Sequence, residues 1–257
     1  GLSVMYNNTT GGRNSAFGRS ALSSNTTAAD NTASGFYSLY SNTTGNSNTA
    51  AGSCALRNNT TGCYNNAFGK RALRSNTTGC YNVAAGNDAL YGNTTGNYNT
   101  ASGYYALGKN TTGHSNAAIG HMAMTKNTTG HSNIAIGLQT MGCNTTAAYN
   151  TAVGACALFC NTTTGMSMDA FGFRALHSNT TGSCNMGIGF CSLYSNTSGC
   201  YNTASGYRAL TKNTTGCYNV ALGSAALECN TTSHRNTATG GWALRRNTTG
   251  CNHTASG

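Results

Sequence analysis

Twelve cysteines, six histidines and four carboxylates are the residues of this chain whose types could do chemistry. The cysteine pairs Cys63/Cys80, Cys143/Cys160 and Cys200/Cys217 are each separated by 17 residues. If 17 residues make one turn of a stacked coil, the two members lie about 4.8 Å apart, inside the ~4.4–6.8 Å Cα window of a disulfide. This predicts three stacked disulfides and an oxidising, extracellular setting. The alternative is thiols that vary like any surface residue. No C-x-x-C occurs, so the spacing is not that of a zinc module. His114 and His131 are also 17 apart; a two-His metal site is conceivable, but two exposed imidazoles are the simpler reading, and no metal or cofactor is assigned. Asp30, Asp88, Asp169 and Glu228 fall in distant coils and form no acid–base pair, and no phosphate-binding glycine loop occurs. The residues give no reason to read an enzyme.

The fifteen asparagines that open a repeated phrase each begin an N-x-[ST] sequon: Asn8, Asn25, Asn42, Asn59, Asn76, Asn93, Asn110, Asn127, Asn144, Asn161, Asn179, Asn196, Asn213, Asn230 and Asn247. In a secreted eukaryotic protein these are N-glycosylation acceptors. The competing reading is structural, an Asn corner followed by Thr ladders. Strand alternation, with Asn42 and Thr44 on one side and Thr43 on the other, sets the choice. Ser198, the one variant at the third place, keeps the hydroxyl an acceptor needs, so outward asparagines are expected.

These residues must be positioned by a phrase of 17, N-T-T-G-x-x-N-x-A-x-G-x-x-A-L-x-x, which opens at each of the fifteen asparagines. The step is 17 except between Asn161 and Asn179, where the sequence NTTTG adds a residue near Thr164 and Met168 and Asp169 depart from the phrase. Numbering the opening Asn as position 1, a period this short is too small for a two-helix repeat and suits one coil of a parallel β-solenoid. The expected fold is therefore all-β, a solenoid of about fifteen coils forming one array over residues 1–257, rising about 72 Å in all. Strands are expected near positions 1–3, 7–10 and 13–15, with Gly at 4 and 11 and Asn at 1 and 7 turning the corners. Leu at 15 and small residues at 9 and 14 make a thin core. The extra residue near Thr164 is placed at a corner, because within a strand it would flip the faces. Gly1 and Gly257 both occupy position 11, so the array is expected to continue beyond this window or to stack end to end.

The formal charge is +10, with twelve of fourteen Lys and Arg at positions 12, 13, 16 and 17. A solvated basic rim is the simplest account; glycans or an anionic surface could bind it, nucleic acid being the less favoured partner. No apolar run approaches a membrane span. All fourteen tyrosines sit at positions 6, 12, 13 or 16, and position 10 is half apolar. Together with the thin core, this predicts association with further copies of the chain.

The stretches NTASGYYAL (99–107) and NIAIGLQTM (133–141), with Ala118–Gly120 and Ala135–Gly137 reading "AIG", resemble the head repeats of trimeric autotransporter adhesins. The whole phrase also resembles repeats of phage tail-fibre-like surface proteins. The resemblance implies a left-handed parallel β-roll, commonly of three chains, displayed outside the cell. The expected function is a structural, self-associating extracellular fibre. An adhesin or receptor-binding fibre is the alternative, and ice binding through Thr ladders a third.

Overall fold

A computed structural model describes residues 2–162 and 165–257. It divides into two units, residues 1–129 and 130–257, built from the same coil. Each coil contributes a single strand of three residues at positions 8–10. In the first unit these run from Ser15–Phe17 to Ala117–Ile119, in the second from Ile134–Ile136 to Thr254–Ser256. Within each unit the strands lie in chain order and pair in parallel with a register shift of one repeat, as in Ala50↔Ala67 or Ala204↔Ala221. Among the described residues there is no helix, and none long and apolar enough to cross a membrane. The parallel β-solenoid expected from the period is thus the fold of both units.

The remaining expected strands are turns. Position 15 is buried from Leu22 to Leu227, as at Leu107, yet its backbone is left-handed, φ 51° at Leu107. Positions 6 and 13 are left-handed too, for example Tyr98 and Tyr105 at 58° and 54°. These conformations cost non-glycine residues roughly 1–2 kcal/mol each. They are held because they aim N–H groups along the stack: Tyr105 donates back to the Asn87 carbonyl and Leu107 forward to that of Ala123, both at 3.0 Å.

Only one glycine corner is a matter of φ. At position 11 φ lies near 140°, as at Gly35 and Gly52, which an L-residue rarely adopts. At position 4 the constraint is space, since a Cβ on Gly79 would come within 2.5 Å of both Asn76 Oδ1 and the Gly96 carbonyl. Position 4 nonetheless holds Ala28, Ala147 and Ser233, all buried.

The interior is half polar. Beside the Ala and Leu or Met columns, the Asn columns at positions 1 and 7 are fully buried through most of both units. Asn93 Nδ2 donates to Asn76 Oδ1 at 2.8 Å and to the Gly96 carbonyl at 3.0 Å, while its Oδ1 accepts from Asn110 Nδ2 at 2.8 Å. At position 7, Asn48 Oδ1 accepts the backbone N–H of Asn65 at 3.0 Å and its amide at 3.1 Å, and the Asn48 amide reaches the Gly62 carbonyl at 2.9 Å. The amides within these columns thus meet partners in their own and adjacent coils, which is what permits their burial.

The extra residue placed at a corner near Thr164 lies outside the described residues. On either side, Asn161 still reaches the Gly165 carbonyl, at 3.2 Å over four residues where other coils use three. Its bond to Asn144 is stretched to 3.5 Å, and its own Oδ1 is buried without a partner among the described residues. Met168 then fills position 7, offering Asn185 only a sulfur at 3.9 Å.

Candidate functional site

The opening asparagines, expected outward, point inward. Thirteen of the fifteen, from Asn25 to Asn230, have no accessible surface; Asn8 and Asn247 are half-buried. The physical reason is that positions 1–3 form a bend rather than a strand, so alternation does not apply: Asn42 is buried, Thr43 half-buried and Thr44 exposed. The acceptor nitrogen is enclosed and already donates two hydrogen bonds, so the folded coil leaves no space for a glycan there. The half-buried Thr hydroxyls at position 2 bond along the stack, Thr94 Oγ1 donating to the Thr111 carbonyl at 3.0 Å.

The cysteines at position 5 are thiols, not disulfides: Cys63, Cys80, Cys200 and Cys217 are unlinked. The sequence argument used Cα spacing alone. Translation by one coil carries Cβ as far as Cα, about 5 Å, beyond the ~3.5–4.5 Å that a disulfide needs. The same geometry applies to Cys143 and Cys160, equivalents in neighbouring coils. Position 5 has a structural task that sequence reading missed. Its side chain accepts the N–H of the preceding coil's position 5: Ala29 to Asn46 Oδ1 at 2.7 Å, Cys80 to Asn97 Oδ1 at 2.7 Å, Met166 to Ser183 Oγ at 3.3 Å, Cys217 to His234 Nδ1 at 2.9 Å. Asn, Cys, Ser and His fill eleven of the fifteen places at this position, the others being Gly12, Ala29, Ala148 and Met166; that bias was the available signal, since all four types carry an acceptor. His114 and His131 fall in different units, and each ring contacts its own neighbour, Ser115 and Ser132 at 3.3 Å.

Three of the four carboxylates are taken up by arginines one coil away. Arg13 meets Asp30 at 2.6 Å, Arg71 meets Asp88 at 2.6 Å, and Glu228 lies between Arg208 at 3.0 Å and Arg245 at 2.7 Å. The Arg245 hydrogen bond holds the Glu228 carboxyl below its ordinary range, against the opposing effect of burial.

What the coil presents outward is aromatic and apolar. At position 6, Tyr64, Tyr81 and Tyr98 stack at 5.0 Å with planes 5° apart, and Tyr201 and Tyr218 repeat this in the second unit. At position 12, Phe173, Phe190 and Tyr207 form a second column, 5.3 and 5.4 Å apart. A shallow groove of about 370 Å³ runs beside it, lined by Arg174, Tyr194 and Arg208 among others. Burial pushes the Cys191 thiol in its wall upward while the two arginines pull it down. The strand itself shows positions 8 and 10 to the outside and buries the Ala at 9. Phe68, Ile119, Ile134, Ile136, Ile188 and Leu222 stand on that face, each 37–47% exposed.

No family model, curated protein or solved structure matches this chain. The resemblance to adhesin heads and fibre repeats accordingly rests on the repeated phrase alone.

Proposed function

We propose that this chain is a structural subunit of an extracellular fibre, associating with copies of itself through its sheet face. One observation carries the reading. Of the thirty side chains at positions 8 and 10 only Asp169 is charged, while the lysines and arginines lie at other positions. An in-register face of Thr, Val, Ile, Phe and small residues is suited to pack against another such face. The extracellular placement draws on the resemblance alone, now that the stacked cysteines are thiols. Sedimentation of the full chain at micromolar concentration is expected to show assemblies; a stable monomer would overturn the proposal.

The adhesin reading is favoured by the groove between Arg174 and Arg208, where stacked aromatic faces adjoin two guanidinium groups. That is a setting for an acidic sugar, and selective binding to acidic over neutral glycan arrays would support it. Ice binding draws on the exposed position-3 threonines such as Thr27, Thr44 and Thr78, but the neighbouring rank at position 8 mixes Thr with Val, Ile, Met and Asp. Thermal hysteresis is its test.

A further inference from the structure

The position-5 column holds thiols at a spacing that suits one kind of ion. In the first unit Cys63 follows Asn46 and is followed by Cys80; in the second, Cys200, Cys217, His234 and Cys251 occupy four consecutive coils. Each sulfur is fixed at two points. Cys63 Sγ accepts the Asn46 N–H at 3.3 Å and donates to the Thr61 carbonyl at 3.3 Å; Cys80 Sγ accepts the Cys63 N–H at 3.1 Å and donates to Thr78 at 3.4 Å. Cys200 and Cys217 repeat the arrangement, accepting from Ser183 at 3.3 Å and Cys200 at 3.1 Å and donating to Ser198 and Thr215 at 3.4 Å. With the two thiols of a pair in the same pose, their sulfurs are one coil apart. The adjacent rings Tyr64/Tyr81 and Tyr201/Tyr218 measure that repeat as 5.0 Å.

We propose that Cys63/Cys80 and Cys200/Cys217 each bind one soft monovalent cation, Cu(I) or Ag(I), as a two-coordinate bis-thiolate bridging adjacent coils. A metal–sulfur bond of about 2.3 Å taken straight across an ion spans about 4.6 Å, so the pair closes by only a few tenths of an ångström. A tetrahedral angle with the same bonds brings the sulfurs to about 3.8 Å, a displacement of more than 1 Å, and needs further ligands. Among the described residues no group of three or more His, Cys, Asp or Glu gathers round one point. Thiolate softness selects Cu(I) over the harder ions. Binding exchanges protons and no electrons: each thiol loses its proton to solvent, the cation takes both sulfurs, and the pair carries a net charge of minus one. The thiol bonds to the Thr carbonyls are given up. The N–H donors of the preceding coil remain on the sulfurs and support the thiolates as outer partners of a metal site do. All four cysteines are half-buried, which leaves an entry path.

The test is Ag(I) titration of the reduced full chain against a competing small thiol, with retained ions counted by native mass spectrometry. Serine preserves an acceptor at position 5, as Ser183 does. The double variants C63S/C80S and C200S/C217S should therefore fold, and each should retain one ion fewer than the parent. The control C54S/C156S, at isolated cysteines of position 13, should retain the parent's count. Single variants C80S and C217S should each weaken retention at their pair at least tenfold. X-ray absorption on the Ag(I) form should give two sulfur neighbours, and Zn(II) should not be retained. Unchanged counts in the double variants, or three or four sulfur neighbours, would overturn the proposal.

Discussion

Asn93 shows how much depends on a single amide in this interior. It has no accessible surface and bonds Asn76, Gly96 and Asn110. Asn93→Ala strands Asn76 Oδ1 and one N–H of the Asn110 amide, while the Gly96 carbonyl keeps its bond from Asn82 Nδ2 at 2.9 Å. Each buried group left unmet costs about 1–3 kcal/mol, so the variant should lose about 3 kcal/mol or more. A chemical-denaturation midpoint within error of the parent would count against the buried ladder. The asparagine column was legible as a pattern but not in its direction. The sequon and the alternation rule both pointed Asn42 outward, and both presumed an extended backbone at positions 1–3. The bend there is imposed by the amide's own bond to the Gly45 carbonyl at 2.9 Å, a side-chain contact that periodicity does not reveal.

At the scale of the coil, the period and the inward Ala and Leu columns were readable because a fixed residue in every repeat has one environment to satisfy. The share of strand was not. Positions 13–15 read as a strand on the propensity of residues such as Tyr, yet Tyr105 and Leu107 are left-handed. Their N–H groups bond to coils on opposite sides, a demand of stacking that overrides local preference. The columns still separate core from surface. Leu107 is fully buried and Tyr104 is 48% exposed. Leu107→Asp should therefore be severely destabilising, by more than about 4 kcal/mol, because it buries an unpaired charge. Tyr104→Ser should change the melting temperature little and act on association. Equal small shifts for both would refute the assignment. Position 5 is the converse case: its cysteines were visible, but their shared role with Asn, Ser and His emerged only from the backbone N–H each one accepts.

Charge acts on the whole molecule in two ways. Asp30 and Glu228 are held below their ordinary range by Arg13 and Arg245. A carboxyl whose value is lower in the fold contributes stability that is present above its unfolded value, near pH 4, and is lost as pH falls through the folded one. Acid should thus weaken the fold, and Glu228→Gln, which leaves Arg208 and Arg245 facing each other unneutralised, should remove part of that pH dependence while lowering stability at neutral pH. An unchanged pH profile would contradict the pairing. The second effect concerns association. The chain carries +10, yet its sheet face is almost free of charge. Two copies meeting through that face are held by apolar contact and opposed by their net charge. The repulsion decays over a Debye length of about 14 Å at 0.05 M salt and of only about 4 Å at 0.5 M. Raising salt across this range should therefore strengthen self-association. Binding of an acidic glycan to the arginine-flanked groove should weaken over the same range, because that contact is itself ionic. Sedimentation and glycan binding measured in parallel separate the two surfaces. If self-association fell with salt, the copies would be meeting through their charged rims, and the uncharged face would lose its place as the interface.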